Sequence, residues 1–468
     1  MIPITMTQIA EAVGGGVEAA HGTAVVQRVE INSREVRPCD LFVALQGERH
    51  DGHHYLAEAQ MRGAAGAVVS RAWIDGAAVR PHLPMIVVND TYRALGHLAA
   101  WYRRCVIDVS TTVIAITGSN GKTTTKRMMD DVLGSVLPGR SAPKSFNNRV
   151  GVPLTLLSAQ RGDRYLICEV GTSAPGEIAE LAEIISPDVG VITSIGEAHL
   201  EGLGSMAGVA AEKFSLVAHI RAGGVAIVNA DRSEIRPHLQ HTHRPRMVTF
   251  GFDTASRLRI DGVEARPDRT SFVLEGRYKV TLRMPGRHHA GNATAVFAVA
   301  RWMGLAPETI IERLGEFVAV EGRTQRAEWP ALTLIDDAYN ANPASMRTAI
   351  ESLRLCTRGR RVLVAGDMME LGAHSDRLHT EFVRSVHDSG IEILITVGEK
   401  MRASVAAEGV EWTRMQVKTC DDASAAIDVL AKTLRPSDTV WVKGSRAVGL
   451  ERVVEALRET WGPKAAVA

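Results

Sequence analysis

The sequence lacks the features that would place it at a membrane or on nucleic acid. Its 468 residues carry a net charge of only +1, and aromatic residues make up 5% of the chain. Such a charge gives no electrostatic attraction to nucleic acid or to an anionic membrane, and few aromatic rings are available to stack on unpaired bases. No run approaches the roughly 18 apolar residues of a membrane span. The first residues also lack the basic and apolar regions of a signal peptide.

Cysteine is scarce as well. The five cysteines lie far apart, at positions 39, 105, 168, 356 and 420, and no two have C-x-x-C spacing. An odd and scattered set favours reduced thiols that pack as small apolar side chains. We therefore expect a cytoplasmic protein.

The chain does have the composition and patterning of a multidomain α/β protein. Hydrophobic residues make up 45% and charged residues 23%, which is ordinary for a globular protein. At this length about three domains are expected. Short apolar runs alternate with helical segments, and the pattern divides into residues 1–108, 109–322 and 323–468.

The strongest functional signal lies near the start of the second unit. An apolar run at 113–116 leads into the turn T-G-S-N-G, and a helical segment begins near Lys122. A strand, a glycine turn and a helix N-terminus form a phosphate site, and Gly118 and Gly121 let the backbone approach phosphate oxygens. Lys122 supplies a charge for the outer phosphates and Thr123 a hydroxyl for Mg²⁺. The loop is shorter than the general P-loop, whose first glycine is absent here.

Two polar residues at other strand ends are expected beside this loop. Glu169 ends an apolar run, and His199 follows the run 188–195. Ligands of open α/β sheets bind at the carboxyl ends of strands, so both side chains should face the crevice that contains Lys122. A carboxylate, an imidazole and a hydroxyl suit Mg²⁺, with histidine the less usual ligand. An ion pair with a nearby basic residue would also explain Glu169, and His199 could be an ordinary loop histidine.

Seven segments together resemble the Mur ligase family. They are T-G-S-N-G-K-T-T (117–124), F-N-N-R-V-G-V-P-L-T-L-L (146–157), E-V-G-T (169–172), G-E-A-H-L-E (196–201), I-D-D-A-Y-N-A-N-P (335–343), G-D-M-M-E-L-G (366–372) and V-K-G-S-R (442–446). The resemblance covers nearly the whole chain. It implies a small N-terminal α/β domain for a UDP substrate, a central P-loop-type ATPase domain with a mostly parallel sheet, and a C-terminal Rossmann-like α/β domain.

The resemblance implies an ATP-dependent, ADP-forming amide ligase of peptidoglycan synthesis. ATP would phosphorylate the terminal carboxylate of UDP-N-acetylmuramoyl-tripeptide, and the amine of D-alanyl-D-alanine would attack the acyl phosphate. Two Mg²⁺ ions, a monomeric chain and only small-molecule partners are implied with it. Whether the third residue of the tripeptide is lysine or diaminopimelate stays open.

The same resemblance assigns roles to individual residues. ATP would contact Gly118, Ser119, Asn120, Gly121, Lys122, Thr123, Thr124, Asn292, Arg323, Asp337 and Asn340. Metal ligands would be Thr123, Glu169, His199 and Lys213, and the catalytic set would be Lys122, Glu169, His199, Lys213 and Arg323. Substrates would contact Ser33, Arg34, Asp51, Gly52, His53, Asn147, Asn148, Lys443, Ser445 and Arg446.

Two of these positions have a second interpretation, and a neighbouring residue, His289, departs from the family. Lys213 lies among Ala, Val and Phe, where a surface lysine with a buried stem is the simpler interpretation; the resemblance instead implies a carbamylated, metal-binding lysine. Asn292 could cap the helix that follows it or read a purine edge. His289 stands where the family resemblance predicts asparagine, so contacts to adenine are expected to differ.

Two other classes of function compete with this interpretation. A related ligase could add the third residue of the peptide or add glutamate to folate, but Y-N-A-N-P and the N-terminal unit argue against folate. A GTPase-like switch would need an N-K-x-D motif to read guanine. The segment 229–231, N-A-D, lacks its lysine and spacing.

Overall fold

Three large sheets organise the chain in this computed structural model, which describes residues 1–16, 22–143, 145–239, 246–408, 412–413 and 415–463, and a short two-stranded sheet accompanies the first of them. Each large sheet is mostly parallel and has helices on its faces, as expected where apolar runs alternate with helical segments. The α/β fold class is confirmed. No helix in these ranges is long and apolar enough to cross a membrane.

The first unit has a parallel four-stranded sheet in the order β3-β4-β5-β6, beside an antiparallel pair of β1 and β2. Its strands are β1 (Ile4–Thr5), β2 (Val25–Val26), β3 (Arg28–Glu30), β4 (Asp40–Val43), β5 (Gly66–Ser70) and β6 (Met85–Val88). Its helices are α1 (Met6–Val13), α2 (Leu56–Met61), α3 (Arg71–Gly76) and α4 (Thr91–Cys105).

The second unit has a nine-stranded sheet in the order β15-β14-β13-β12-β11-β10-β7-β9-β8. Its strands are β7 (Thr112–Thr117), β8 (Gly139–Ser141), β9 (Tyr165–Glu169), β10 (Val189–Ile192), β11 (Val225–Asn229), β12 (Arg246–Gly251), β13 (Leu258–Ala265), β14 (Thr270–Leu274) and β15 (Tyr278–Leu282). Its helices are α5 (Lys122–Gly134), α6 (Gly151–Leu157), α7 (Glu177–Ile185), α8 (Leu200–Leu203), α9 (Met206–Phe214), α10 (Arg236–Leu239), α11 (His288–Trp302) and α12 (Pro307–Glu316). Only the ladders that join β13, β14 and β15 are antiparallel.

The third unit has a six-stranded sheet in the order β16-β17-β21-β18-β19-β20, antiparallel only at its β16 edge. Its strands are β16 (Gln325–Glu328), β17 (Leu332–Asp337), β18 (Arg361–Gly366), β19 (Ile393–Val397), β20 (Gln416–Cys420) and β21 (Asp438–Lys443). Its helices are α13 (Pro343–Arg354), α14 (Ser375–His387), α15 (Glu399–Glu408), α16 (Ala423–Thr433) and α17 (Glu451–Trp461).

One helix start differs from the sequence-based expectation. Helix α11 begins at His288, so Asn292 lies inside the helix and does not cap it. The capping prediction for Asn292 was therefore wrong. A buried amide inside a helix needs another purpose, because an unpaired buried polar group is costly. Its side chain faces Gly121 of the glycine turn.

Helix α4 fastens the first unit to the second. It packs on α6 and α7 within one continuous apolar core. The buried Tyr102 hydroxyl accepts the N–H of Ile2 at 2.6 Å and donates to the carbonyl of Ala159 at 3.1 Å. Arg103 pairs with Asp188 at 2.8 Å. The two units are thus joined by a shared apolar core, and the polar groups of Tyr102 and Arg103 at this junction are hydrogen-bonded.

The third unit meets the second through polar contacts around a cavity. The side-chain amides of Asn120 and Asn342 exchange two hydrogen bonds, at 3.2 and 2.8 Å. Arg347 of α13 pairs with Glu197, which follows β10. An apolar cluster also spans this junction. The loops at the carboxyl ends of β7, β10 and β17 are therefore held face to face.

Candidate active site

A cavity of about 1100 Å³ lies where the loops of the second and third units meet. It is lined by the glycine turn, by loops after β9, β10 and β11, by the start of α11, and by residues that follow β17. Most of these loops extend from the carboxyl ends of parallel strands, where ligands of α/β sheets bind. The cavity therefore brings together most of the residues predicted for the nucleotide.

The two glycines of the turn are required by close contacts. Gly118 has a φ of +149°, and a Cβ there would lie 2.0 Å from Thr193 Oγ1. Gly121 has a φ of +85°, and its Cβ would lie 2.3 Å from the side-chain oxygen of Asn292. Other residues would be strained at both positions. The turn can therefore approach an anion and also touch α11.

The turn is held rigidly by the loop after β10. Ser119 donates its N–H to the Ser194 carbonyl at 2.9 Å and its hydroxyl to the Gly196 carbonyl at 3.0 Å. The hydroxyl of Thr193 donates to the carbonyl of Asn120 at 2.6 Å. Because these bonds satisfy the outer side of the turn, the N-terminus of α5 is left to face an anion.

Lys122 curls back over the turn. Its Nζ donates to the carbonyl of Gly118 at 2.7 Å. Burial lowers the pKa of Lys122; the carboxylate of Glu169 opposes this shift, and the charge of Arg323 adds to it. An anion bound in the turn would stabilise the ammonium form, as expected for a lysine that binds outer phosphates.

Glu169 is the last residue of β9 and contacts Thr123, just after the glycine turn. Its side chain is buried, with 1% of the residue's surface exposed. Thr123 donates its hydroxyl to both carboxylate oxygens at 3.1 Å, and Asn147 donates its amide at 3.1 Å. Lys126 approaches at 3.3 Å. Glu169 can therefore form an ion pair with Lys126 and also bind a metal together with Thr123, because its carboxylate contacts both side chains.

The donor set fits Mg²⁺ bound to a nucleotide better than a metal site made of protein alone. Thr123 and Glu169 bring a hydroxyl and a carboxylate to one point. Among the described residues, no three histidine, cysteine or acidic side chains form a metal-binding group. Mg²⁺ is commonly held by one or two protein oxygens together with phosphates and water.

The side chain of His199 is hydrogen-bonded to a residue of the third unit in this structure. His199 adopts a left-handed conformation with φ +56°, and its Nδ1 forms a short hydrogen bond to a carboxylate oxygen of Glu370. That hydrogen bond lowers the pKa of Glu370. The side chain lines the cavity as predicted, and its partner is a residue that the sequence analysis did not select.

Lys213 is a buried lysine in α9, with 1% of its surface exposed. Burial lowers its pKa to about 7, and the nearby charge of Lys122 contributes to that shift. A surface lysine with only its stem buried is therefore the wrong interpretation. Much of the population at neutral pH has an uncharged amine, which is the nucleophilic form.

Arg323 reaches the phosphate turn from the beginning of the third unit. Its guanidinium stacks on Tyr339 with Cζ 4.0 Å from the ring centroid, and Nη2 lies 3.4 Å from the Thr123 hydroxyl. Its Nε has no hydrogen-bond partner in the described structure. A charged group that is held flat on an aromatic ring and incompletely bonded is suited to receive a phosphate oxygen.

Three residues predicted for different ligands form one cluster at the carboxyl ends of β17 and β21. Lys443 Nζ pairs with Asp337 at 2.7 Å and donates to the carbonyl of Asn340 at 2.9 Å. All three residues line the cavity. Lys443 was predicted to contact the substrate peptide, and the structure places it beside two residues predicted to contact ATP.

The part of the cavity at the start of α11 has the properties expected of a nucleobase site. His288 and His289 line it together with Asn292 and Phe252. Burial lowers the pKa of His288 to about 4 and that of His289 well below its ordinary value, so both rings are neutral near pH 7. His288 Nδ1 and His289 Nε2 lack partners in the part of the chain that the structure describes. Neutral, incompletely bonded groups beside an aromatic ring suit a base edge.

The residues predicted in the first unit lie away from this cavity. Ser33 donates its hydroxyl to Glu58 at 2.7 Å, and Arg34 is exposed. His53 is buried between Asp51, which its Nδ1 contacts at 2.6 Å, and the N–H of Ser70, which donates to its Nε2 at 2.9 Å. The His53 side chain therefore orders its loop. Gly52 packs closely, since a Cβ there would lie 2.8 Å from the backbone of residue 45.

Two more predicted residues also have structural partners. Asn148 accepts the N–H groups of Val150 and Gly151 at 3.1 and 3.0 Å at the start of α6. Ser445 accepts the N–H of Met369 at 2.9 Å.

Arg446, in contrast, is exposed and lies 5.7 Å from the Tyr339 ring centroid.

Tyr339 and Glu370 were missed as individual residues. Both lie in motifs that follow strands, Y-N-A-N-P and G-D-M-M-E-L-G, so their position after strand ends was the available signal.

Comparison with known proteins identifies the class that this fold and cavity define. Residues 25–103 match the description "Mur ligase family, catalytic domain", residues 116–300 "Mur ligase middle domain", and residues 322–446 "Mur ligase, glutamate ligase domain". The chain belongs to the Mur ligase family.

Similar proteins within the family can be named. The UDP-N-acetylmuramoyl-tripeptide–D-alanyl-D-alanine ligase of Escherichia coli K12 is 34% identical, with 98% of this chain and 99% of that protein covered; that of Bacillus subtilis 168 is 32% identical over the same shares. MurF from Acinetobacter baumannii has a TM-score of 0.87 at 30% identity, covering 98% and 99% of the two chains. MurF ligase from Thermotoga maritima in complex with ADP has a TM-score of 0.80 at 28% identity, covering 93% and 97%.

Proposed function

We propose that the chain is an ATP-dependent, ADP-forming ligase that joins D-alanyl-D-alanine to UDP-N-acetylmuramoyl-tripeptide in peptidoglycan precursor synthesis. The observation that carries the proposal is the meeting of Lys122, Thr123 and Glu169 with Arg323 of another unit. A phosphate site completed by an arginine from across a cleft suits phosphoryl transfer. Relatives aligned over their whole length with this chain carry the name of that ligase.

The residues support a reaction in two steps. A carboxylate oxygen of the tripeptide bonds to the γ-phosphorus of ATP as the bond to ADP breaks. The dipeptide amine then attacks the acyl carbon, and inorganic phosphate leaves. Lys122 and Arg323 would balance the negative charge that builds up on the transferred phosphoryl group. Tyr339 would keep the arginine in place, and closure of the cavity would exclude water from the acyl phosphate.

We place one Mg²⁺ ion at Thr123 and Glu169, where it would neutralise phosphate charge. Binding of a second ion through Nδ1 of His199 would require the imidazole to release its hydrogen bond to Glu370. ATP would extend from the turn to Asn292, with Asp337 and Asn340 near its sugar or phosphates. The ADP complex of the Thermotoga maritima protein supports nucleotide binding in this fold.

Carbamylation of Lys213 is part of the proposal. The neutral amine would attack the carbon of CO₂, so that an N–C bond forms as a C–O π bond opens, and the nitrogen would release a proton; the neutral side chain would thereby become an anionic carbamate that can bind a metal. The lowered pKa and the position near Lys122 support this chemistry.

The division into residues 1–108, 109–322 and 323–468 is retained as a proposal, with the UDP-sugar at Ser33, Arg34 and the loop 51–53. Asn147 and Asn148 would meet the tripeptide near the metal, and Lys443, Ser445 and Arg446 would face the dipeptide. One chain supplies every residue in this scheme, so we propose a monomer.

The reaction is tested by measuring ADP release with Mg²⁺, ATP, UDP-N-acetylmuramoyl-tripeptide and D-alanyl-D-alanine, with each component omitted in turn. We expect turnover only when all are present. Turnover with UDP-dipeptide and a diamino acid, or with folate and glutamate, and none with the tripeptide, would contradict the substrate assignment and leave the ATP site intact.

A further inference from the structure

Arg149 lines the cavity and has no role in the scheme above. Arg149 follows Asn147 and Asn148 in the loop before α6 and lines the cavity. Asn147 donates to Glu169, and Asn148 fixes the first N–H groups of α6. The backbone on both sides of Arg149 is thus held in place. Arg149 lines the same cavity as Glu169 and the phosphate turn.

Tyr92 of the first unit holds this guanidinium. The Cζ atom of Arg149 lies 4.2 Å from the Tyr92 ring centroid, which is a cation–π contact. Asp90 accepts the N–H of Tyr92 at 2.8 Å and so fixes the start of α4. The Tyr92 hydroxyl donates to the carbonyl of Gln46 at 3.1 Å. Arg149 therefore bridges the second unit and the loop that leads to residues 51–53 of the first.

The charges around Arg149 are incompletely matched. Within the described ranges Arg149 makes no ion pair or hydrogen bond to a carboxylate, although it has the tyrosine contact. Glu48 and Glu180 line the same cavity and are exposed. A cation and two carboxylates facing one cavity are complementary to a ligand group that has both a negative and a positive charge.

The substrate question left open by the sequence concerns such a group. Diaminopimelate differs from lysine by a carboxylate on the carbon that carries the side-chain amine. A guanidinium can bind that carboxylate through two parallel N–H donors, while Glu48 or Glu180 balances the ammonium. Lysine at the same place would leave the guanidinium unmatched and bring a second cation near it.

We propose that Arg149, positioned by Tyr92, binds the side-chain carboxylate of the third peptide residue, so that the enzyme prefers the tripeptide ending in diaminopimelate to the one ending in lysine. The proposal rests on the proposed function. Arg149 is the specificity residue, and Tyr92 is a positioning residue.

The test compares kcat/KM for the two UDP-tripeptides in the wild type and in Arg149→Gln, at saturating ATP and D-alanyl-D-alanine. Loss of a charge-assisted hydrogen bond should lower kcat/KM for the diaminopimelate substrate by about 10- to 100-fold. The lysine substrate should change by less than about threefold. Arg149→Glu should shift the preference further towards lysine. Arg301→Gln removes an exposed arginine outside the cavity lining and serves as the matched control.

Two further measurements separate contact from positioning. Direct titration of each UDP-tripeptide should show the same selective loss in affinity in Arg149→Gln. Tyr92→Leu should weaken only the diaminopimelate substrate, whereas Tyr92→Phe keeps the ring and should retain most of the preference.

The outcomes distinguish this proposal from the proposed function. Equal loss with both substrates in Arg149→Gln would mean that Arg149 binds a group common to both, such as the UDP phosphates, and would overturn the proposal. A wild type that uses both substrates equally, or prefers lysine, would overturn it as well and leave the ligase activity standing. No turnover with either tripeptide would contradict the proposed function and this inference together.

Discussion

The two junctions between units are built from different interactions. The first joins α4 to α6 and α7 through a continuous apolar core, in which Tyr102 and Arg103 are buried and hydrogen-bonded. The second has an apolar cluster too, but its contacts at the cavity are polar: the paired asparagines, the hydrogen bond of His199 to Glu370, and the contact of Arg323 with Thr123.

The difference indicates which junction can move. Separating the first would expose a continuous core. Opening the second would also expose part of the cluster that spans it, but the polar contacts at its cavity can exchange for water and substrate at small cost. Polar interfaces that line ligand clefts are typical of hinge closure. The first junction should therefore determine stability, and the second should determine catalysis.

The largest effect is expected from Arg323→Met at the second junction. Loss of the cation that faces the phosphate turn should lower kcat/KM by about 100- to 1000-fold, and the midpoint of thermal unfolding should hardly change. Arg347→Met is the matched control, because its exposed ion pair with Glu197 crosses the same junction outside the cavity lining. Arg347→Met should lower kcat/KM by less than about threefold. Equal losses in the two variants would mean that Arg323 acts only by holding the units together.

The first junction is tested by Arg103→Met. This change leaves Asp188 without its buried partner and removes a donor to the last carbonyl groups of α7, so the free energy of unfolding should fall by about 3 kcal/mol. Denaturant unfolding measures it, and kcat/KM of the folded fraction should stay near that of the wild type. Arg104→Met, at the exposed neighbouring position, should change stability by less than about 0.5 kcal/mol. An intact stability in Arg103→Met would refute the contrast between the junctions.

Lys213 adds a buried titratable amine near Lys122. Its folded pKa of about 7 lies below the unfolded value of about 10.4, so unfolding takes up a proton between these values. Stability should therefore rise with pH across that window, by at most about 1.4 kcal/mol per pH unit. Denaturant unfolding in CO₂-free buffer should show this rise in the wild type and a flatter profile in Lys213→Met.

The catalytic role of the same lysine has a separate readout. Lys213→Ala should lose at least about 100-fold in kcat, with partial recovery in acetate, whereas Lys279→Ala, an exposed lysine of β15, should keep its activity. Full activity of Lys213→Ala without any additive would remove the carbamate from the proposal.

The smallest effect is expected for the paired asparagines. A double-mutant cycle of Asn120→Ala and Asn342→Ala should give a coupling energy of about 0.5–1.5 kcal/mol in kcat/KM. Asn342→Ala should also cost about 1 kcal/mol in stability, because Asn342 caps α13. A coupling energy of zero would mean that closure does not depend on this pair.

Much of the phosphate site could be predicted from local pattern. Lys122 and Thr123 follow a buried strand and a glycine turn, and Glu169 ends another strand, so their positions at the carboxyl ends of strands predicted that they would meet. The partners of these residues could not be predicted in the same way. Lys126, Tyr339 and Glu370 come from helix faces and loops whose directions depend on how the sheets twist and how the third unit docks. Asn292 shows that the first residue of a helix is difficult to predict from sequence, because this expected N-cap lies inside α11.

The sequence by itself determined the parallel α/β units and the phosphate turn, because apolar periodicity and glycine conformation act over a few residues. Only the tertiary structure decided that Lys213 is buried enough to have a pKa of about 7, that His53 is buried against Ser70, and that Arg149 contacts the Tyr92 ring. Each of these depends on atoms brought together from distant parts of the chain, where desolvation and the direction of side chains are set by packing.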